Sequence, residues 1–276
     1  MGLVKISVSK KVFIRIFYSF FLIIIFLFTI NFLVIGSGGF RVEPARFIIE
    51  MEAGSRVTEV ITISNTSSRR LDLYANYYDW ELNSDYELVT FEQGSIPESL
   101  EGLLRFNPRS FSLEPGEKQM VRFTVSFPEE EIERFERRGI IFFEHEDEFA
   151  DQGVGASVTS MVGATVYAIP QGAGFTFYLQ EGIVFRADDA YRAAVLMFND
   201  GSRHVRFNID YKIINANGQM VEEGRSEERI VLPKESRGID FHLTEDLSPG
   251  QYELLLTFQL VGFQESLSEI IPFSIK

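Results

Sequence analysis

The stretch "FNPRSFSLEPGEKQMVRFTV", residues 106–125, decides how this chain is read. Its centre, Pro115-Gly116, is a turn pair. Ahead of the turn stands "FSL", and behind it "QMVRFTVSF", where Met120, Arg122 and Thr124 alternate with Val121, Phe123 and Val125. A period of two is that of a half-buried strand, so Val121, Phe123, Val125 and Phe127 form one apolar face that a second sheet must cover. Nothing in the phrase is equipped for chemistry; it is scaffold.

Upstream the same rhythm holds. "ARFIIEME" and "RVTEVITISN" read as strands; in the second, Val57, Glu59, Ile61 and Ile63 share one face and Thr58, Val60 and Thr62 the other. The polar turn "NTSSRR" (65–70) leads into "LDLYANYYDW", with Leu71, Leu73, Ala75 and Tyr77 in register, and the unit is expected to be a hairpin. Residues 81–101 read as loop, broken by "LVTF".

Downstream, "PEEEIERFERRG" (128–139) predicts a short surface helix. Pro128 suits its first turn, Glu130–Arg134 and Glu133–Arg137 fall at i,i+4, and Gly139 ends it, with Ile132 and Phe135 as anchors. A strand "IIFFEHE" and an acidic loop "DEFADQGVG" follow. The long strand "ASVTSMVGATVYAI" (156–169) then ends at Pro170. Along it Val158, Ser160, Val162, Ala164, Val166 and Ala168 point one way, and Thr159, Met161, Gly163, Thr165 and Tyr167 the other. Both faces are small or apolar.

"PQGAG" (170–174) marks a boundary, after which about seven short strands follow. "ITISNTSSRRLDL" from Ile61 matches "VLMFNDGSRHVRF" from Val195 in pattern, which supports duplication of one sandwich topology. The counterpart of the opening phrase is then "IVLPKESRGIDFHL" from Ile230. "LSPGQY" at 247 is rejected, because "RGIDFHL" already precedes it as a strand. Tyr252, just after that turn, reads either as a tyrosine corner bonded back to the turn or as a plain core residue. The fold class expected is all-β: two tandem immunoglobulin-like β-sandwiches, at 40–169 and 174–276, joined by a linker at 170–173.

The 276 residues are 45% hydrophobic, with 27 Phe and 10 Tyr, enough for real cores. The net charge of −14 becomes more negative beyond the basic lead of Lys5, Lys10, Lys11 and Arg15, which argues against a nucleic-acid partner. With no cysteine, disulfides, thiolate metal sites and cysteine nucleophiles are excluded. "FYSFFLIIIFLFTINFLVIG" (17–36) is uncharged and long enough to span a bilayer, so the chain is expected to be exported, with everything after Gly36 outside the cytoplasm. Residues 1–38 are either a cleaved signal ending at "GSGG" or a retained anchor, and membrane contact is expected only through 17–36 if that segment is uncleaved.

His145, His204 and His242 lack ligand spacing and read as surface or strand residues. "EHEDE" (144–148) lacks the spaced loop of a calcium site and reads as a solvated hairpin end. No hydrolase, zinc-protease, phosphate-loop or nucleotide fingerprint occurs, and no spacing recommends a carboxylate pair. The reading is of a protein that is not an enzyme and needs no cofactor and no metal. The strand over 156–168 is instead the segment that suggests function, because an exposed sheet edge accepts a partner's strand; its plain alternative is an internal core strand.

The order of these features resembles the periplasmic pilus chaperones of the PapD type, whose "P-x-x-x-x-L-x-P-G-x-x-x-x-V-R" stretch is filled here by Pro108, Leu113, Pro115, Gly116, Val121 and Arg122. The likeness covers roughly 40–170. It implies two immunoglobulin-like domains in an L shape, a partner that is an exported pilus-like or surface-protein subunit, and capping of that subunit by the last long strand of the first domain. It also implies that Arg46 grips the subunit's terminal carboxylate and that Val158, Ser160, Val162, Ala164 and Val166 form the donor strand. The family's second cation, a lysine, falls near Thr165, and there is no lysine between Lys118 and Lys212. "GFRVEP" (39–44) and "RGIIFFE" (138–144) also resemble, loosely, surface proteins of Gram-positive bacteria that bind cell wall or WxL-type partners, which implies an adhesion or wall-binding module as the alternative.

Overall fold

The structure is a computed structural model, and it describes residues 39–129, 135–151, 154–180, 182–187, 190–243 and 247–275. Residues 1–38, read from the sequence as a signal or anchor, lie outside the described residues. Among the described residues every element is a strand. The first ten are β1 (Phe40–Glu43), β2 (Arg46–Met51), β3 (Arg56–Asn65), β4 (Leu71–Leu82), β5 (Leu88–Phe91), β6 (Leu104–Asn107), β7 (Ser110–Leu113), β8 (Lys118–Ser126), β9 (Arg137–Asp151) and β10 (Val154–Pro170). They form a four-stranded sheet, β1-β3-β8-β6, facing a six-stranded one ordered β2-β10-β9-β4-β5 with β7 also on β4.

Between these sheets lies a core to which Ile61, Ile63, Leu71, Leu73, Val121, Phe123, Val125 and Phe127 all contribute, with the Phe47 and Phe123 rings edge to face at 4.8 Å. The apolar face expected of the opening phrase is therefore the face that is buried. Two prolines sit where single strands change sheet. The chain pairs β1 with β3 before Pro44 and β2 with β10 after it; it pairs β6 with β8 before Pro108 and β7 with β4 after it.

The unit over 56–80 is not a hairpin. β3 pairs with β1 and β8, whereas β4 pairs with β5, β7 and β9, so the turn at 65–70 crosses from one sheet to the other. The Pro115-Gly116 turn crosses as well, from β7 in one sheet to β8 in the other. The physical reason is that both flanking strands carry apolar faces that must meet across a core, and a hairpin would have set them side by side in one sheet.

The buried Asn65 fastens both crossings. Its side-chain amide donates to the carbonyls of Arg69 (2.7 Å) and Leu113 (2.9 Å), and its Oδ1 accepts from the Ser67 backbone at 2.9 Å. Its backbone N–H donates to Glu117 O at 3.0 Å.

The remaining strands are β11 (Phe177–Leu179), β12 (Ile183–Ala187), β13 (Ala190–Asn199), β14 (Val205–Asn215), β15 (Met220–Arg225), β16 (Arg229–Val231), β17 (Ser236–His242), β18 (Gly250–Leu260) and β19 (Ser266–Ile275). They make a sheet of β11, β12, β13 and β17 facing one ordered β15-β14-β18-β19 with β16 on β14. The protein is thus all-β, with two immunoglobulin-like sandwiches.

The predicted repeat is present bond for bond. Asn199 donates to the carbonyls of Arg203 (2.8 Å), Val231 (3.2 Å) and Leu232 (3.3 Å), accepts from Gly201 N–H at 3.0 Å, and donates its own N–H to Glu235 O at 2.9 Å. Gly116 (φ 78°) and Lys234 (φ 60°) hold the same left-handed position of the two turns, so the pairing of the opening phrase with the segment from Ile230 is the structural one. Tyr252 donates its hydroxyl to Ser248 O at 2.7 Å, the tyrosine-corner alternative.

Two further expectations differ from the structure. Of the helix read at 128–139, Glu129 lies in a turn and Arg137–Gly139 already belong to β9; residues 130–134 lie outside the described set. The acidic "loop" after Glu146 is strand: β9 and β10 stay in register from Asp151↔Val154 to Arg137↔Ala168. The ladder is made by backbone hydrogen bonds, which acidic composition does not forbid, so composition misread it.

Candidate functional site

β10 is paired unequally on its two sides. Along one side β9 accompanies it from Val154 to Ala168, while on the other β2 runs parallel to it only from Thr165↔Arg46 to Pro170↔Met51. Among the described residues, Val154–Ala164 has no strand partner on that second side. Thr165 donates its N–H to Ala45 O at 3.0 Å, and the pleat then turns the backbone groups of Gly163, Met161 and Thr159 toward the same open side.

The side chains grade along the strand. Val158 is 54% exposed, Ser160 and Val162 are half-buried, and Ala164 and Val166 are fully enclosed in the core of their own sandwich. The five residues share one face, as the alternation requires. The strand thus runs off the body of the sandwich, and its opposite face bears Met161, 47% exposed.

Arg46 opens β2 at the point where the free edge ends. It faces the second sandwich: its Nη1 donates to Glu228 Oε1 at 2.6 Å. Arg206 of β14 donates to the same oxygen at 2.7 Å through Nη1 and, through Nη2, to the Tyr167 hydroxyl of β10 at 2.8 Å. Burial alone would raise the Glu228 carboxyl, but the hydrogen bonds and charges of Arg46 and Arg206 outweigh it and hold the group below its ordinary value. Burial pushes the Tyr167 hydroxyl up, so it stays a neutral acceptor for Arg206.

Around this group the two sandwiches are bound together. Trp80, Ile140, Tyr167 and Ile169 from the first pack with Ile230 and Leu232 from the second, and the Trp80 and Tyr167 rings meet edge to face at 5.7 Å. His204, read from sequence as a surface or strand residue, is buried here: its Nδ1 lies 2.5 Å from Glu136 Oε2, and its ring packs on Tyr167 at 4.4 Å. Arg203 reaches Glu50 at 2.9 Å. Arg237 donates to Asn83 O (2.5 Å) and Leu82 O (2.7 Å) at the tip of the β4–β5 hairpin. His145 and His242 lie in β9 and β17.

The resemblance named Arg46 together with β10, and β2 does pair Arg46 with Thr165; Arg206, Glu228 and Glu136 were not named, and His204 was read as a surface or strand residue. Arg46 and Glu228 are 182 residues apart, and no spacing rule connects ion pairs across separate sandwiches. The one available signal was the repeat, which sets Arg203 and Arg206 just after the crossing turn that faces the first sandwich.

No protein-family model matches the chain, and no curated protein matches it. Among solved structures it is similar to the class 5 fimbriae chaperone CfaA, at 14% identity over 84% of this chain and 99% of that one, with a TM-score of 0.48. It is similar to the CsuC–CsuE chaperone–tip adhesion subunit pre-assembly complex from archaic chaperone-usher Csu pili of Acinetobacter baumannii, at 14% identity over 84% and 97% with a TM-score of 0.44. It is also similar to the E. coli chaperone DraB, at 13% identity over 86% and 97% with a TM-score of 0.41. Two are chaperones and one is a chaperone–subunit complex, and the likeness is one of fold.

Proposed function

We propose that this chain is an exported, non-catalytic, chaperone-like binding protein that holds a pilus-like or surface-protein subunit by strand addition along β10, with residues 40–169 and 174–276 as its two domains. The observation that carries the reading is the open side of Val154–Ala164. An unpaired edge in line with a paired one is a template for one more strand, since backbone hydrogen bonds supply affinity and alternate side chains specificity. Val158, Ser160 and Val162 offer their side chains, while Ala164 and Val166 keep the strand fixed to its own sandwich.

Direction follows from β2. A strand added parallel to β10 and in line with β2 ends beside Thr165, and its terminal carboxylate then lies next to Arg46. A guanidinium is suited to that group because it offers two parallel donors and a charge that does not titrate.

Coexpression of the full chain with candidate exported subunits, followed by pull-down, tests the reading. Capture that is lost in Val162→Glu supports it. Capture by no subunit, or capture indifferent to Val162→Glu, overturns it, and retention on isolated cell wall without any subunit favours an adhesion module instead.

A further inference from the structure

Arg46 is not waiting empty for a partner. Glu228 Oε1 receives one hydrogen bond from Arg46 and one from Arg206, at 2.6 and 2.7 Å, so a single carboxylate of this chain sits between two guanidiniums contributed by different sandwiches. The three side chains are only partly covered, with 39% of Arg46, 32% of Glu228 and 15% of Arg206 exposed, and a carboxylate from outside can reach the pair.

The two arginines differ in how they are held. Arg206 has a second anchor besides Glu228: it donates to the Tyr167 hydroxyl at 2.8 Å and its guanidinium lies over the Tyr167 ring, 5.5 Å from the centroid. Glu228 belongs to the short connection between β15 and β16, whose other end is tied down: Ser226 N–H donates to Ile209 O and Ser226 Oγ accepts from Ile209 N–H, both at 2.9 Å. The acid can therefore swing away at its own side chain without dismantling the sheet.

We infer that Glu228 is an internal ligand of a two-arginine carboxylate receptor, occupying it until the carboxylate of an added strand takes its place. This rests on the reading of Arg46 given above. Exchange of one carboxylate for another conserves charge, and the tethered acid competes at a high effective concentration. A free carboxylate alone gains little by entering, and one delivered on a strand that also pairs with β10 prevails. Glu228 thus makes recognition of a chain end conditional on backbone pairing.

The test uses the full chain and acetate alone, so that it does not depend on strand addition. Arginine side-chain N–H resonances are followed by NMR during acetate titration of the wild type, E228Q and E228A, with Arg46→Lys and Arg206→Lys assigning the signals. The expected result is that acetate shifts the Arg46 and Arg206 signals saturably in both Glu228 variants, at concentrations about tenfold or more below those the wild type needs. Titrations that coincide in wild type and variants overturn the inference. Subunit capture indifferent to Val162→Glu, with a positive acetate result, instead overturns strand addition and leaves the receptor standing.

Discussion

A single buried asparagine does the same task in each sandwich. Asn65 and Asn199 each bond to a carbonyl four residues on and to a second loop far along the chain, so truncation leaves buried carbonyls without donors. Asn65→Ala and Asn199→Ala are each expected to cost about 1–3 kcal/mol, measured by denaturant unfolding, whereas an exposed neighbour such as Thr66→Ala should stay within about 0.5 kcal/mol. Equal stability of the Asn65→Ala and wild-type proteins would show that the peg is not structural. Tyr252→Phe, which removes only the bond to Ser248 O, should cost about 1 kcal/mol. These residues were legible because each lies in a local pattern: Asn before a polar turn, Tyr after Leu-x-Pro-Gly. Their distant acceptors were not, because a hydrogen bond between loops 48 residues apart leaves no periodicity in the chain.

At the scale of elements, strand alternation was read well wherever one face is buried, as along Val121–Phe127, and poorly where it is not. β15 and the far half of β9 are held by backbone pairing, and β15 was passed over while the end of β9 was read as loop. The crossing turn at 65–70 was misread as a hairpin turn for a related reason: alternation says which face is buried, and not which sheet the strand joins. The open side of β10 is likewise a property of pairing, invisible until β2 is seen to stop at Arg46. A proline tests it. At Met161 the backbone N–H points to the open side, so Met161→Pro removes a donor offered to an added strand while sparing the β9 ladder. Subunit capture is expected to fall by tenfold or more, on the order of one lost charge-free bond with its neighbours displaced, while the melting temperature moves by only a few degrees. A melting temperature that collapses would mean that Met161 N–H already serves the fold.

Across the whole molecule, the polar and apolar links between sandwiches predict how they respond to acid and to unfolding. Glu228 has a carboxyl held below the ordinary 4.5, so its bridge between Arg46 and Arg206 is complete above that pH and is lost as pH falls through the lowered folded value. The stability lost on acidification should accordingly be smaller in E228Q than in the wild type below pH 4.5, with no difference in slope above it; parallel profiles throughout would show that the bridge contributes nothing. The apolar link is reported by the lone tryptophan. Trp80 is buried against Tyr167 in the cluster that also holds Ile230 and Leu232, so its emission senses whether the sandwiches are together. In the wild type, denaturation followed by Trp80 emission and by far-ultraviolet circular dichroism should give one coincident transition, because separating the sandwiches exposes a shared core. Leu232→Ala removes a fully buried side chain from that cluster at an expected cost of about 2–5 kcal/mol. Part of that loss falls on the link between sandwiches, so the Trp80 transition should move to lower denaturant than the dichroism transition. Two probes that remain coincident in Leu232→Ala would instead show that the sandwiches unfold as one unit whatever the state of their contact.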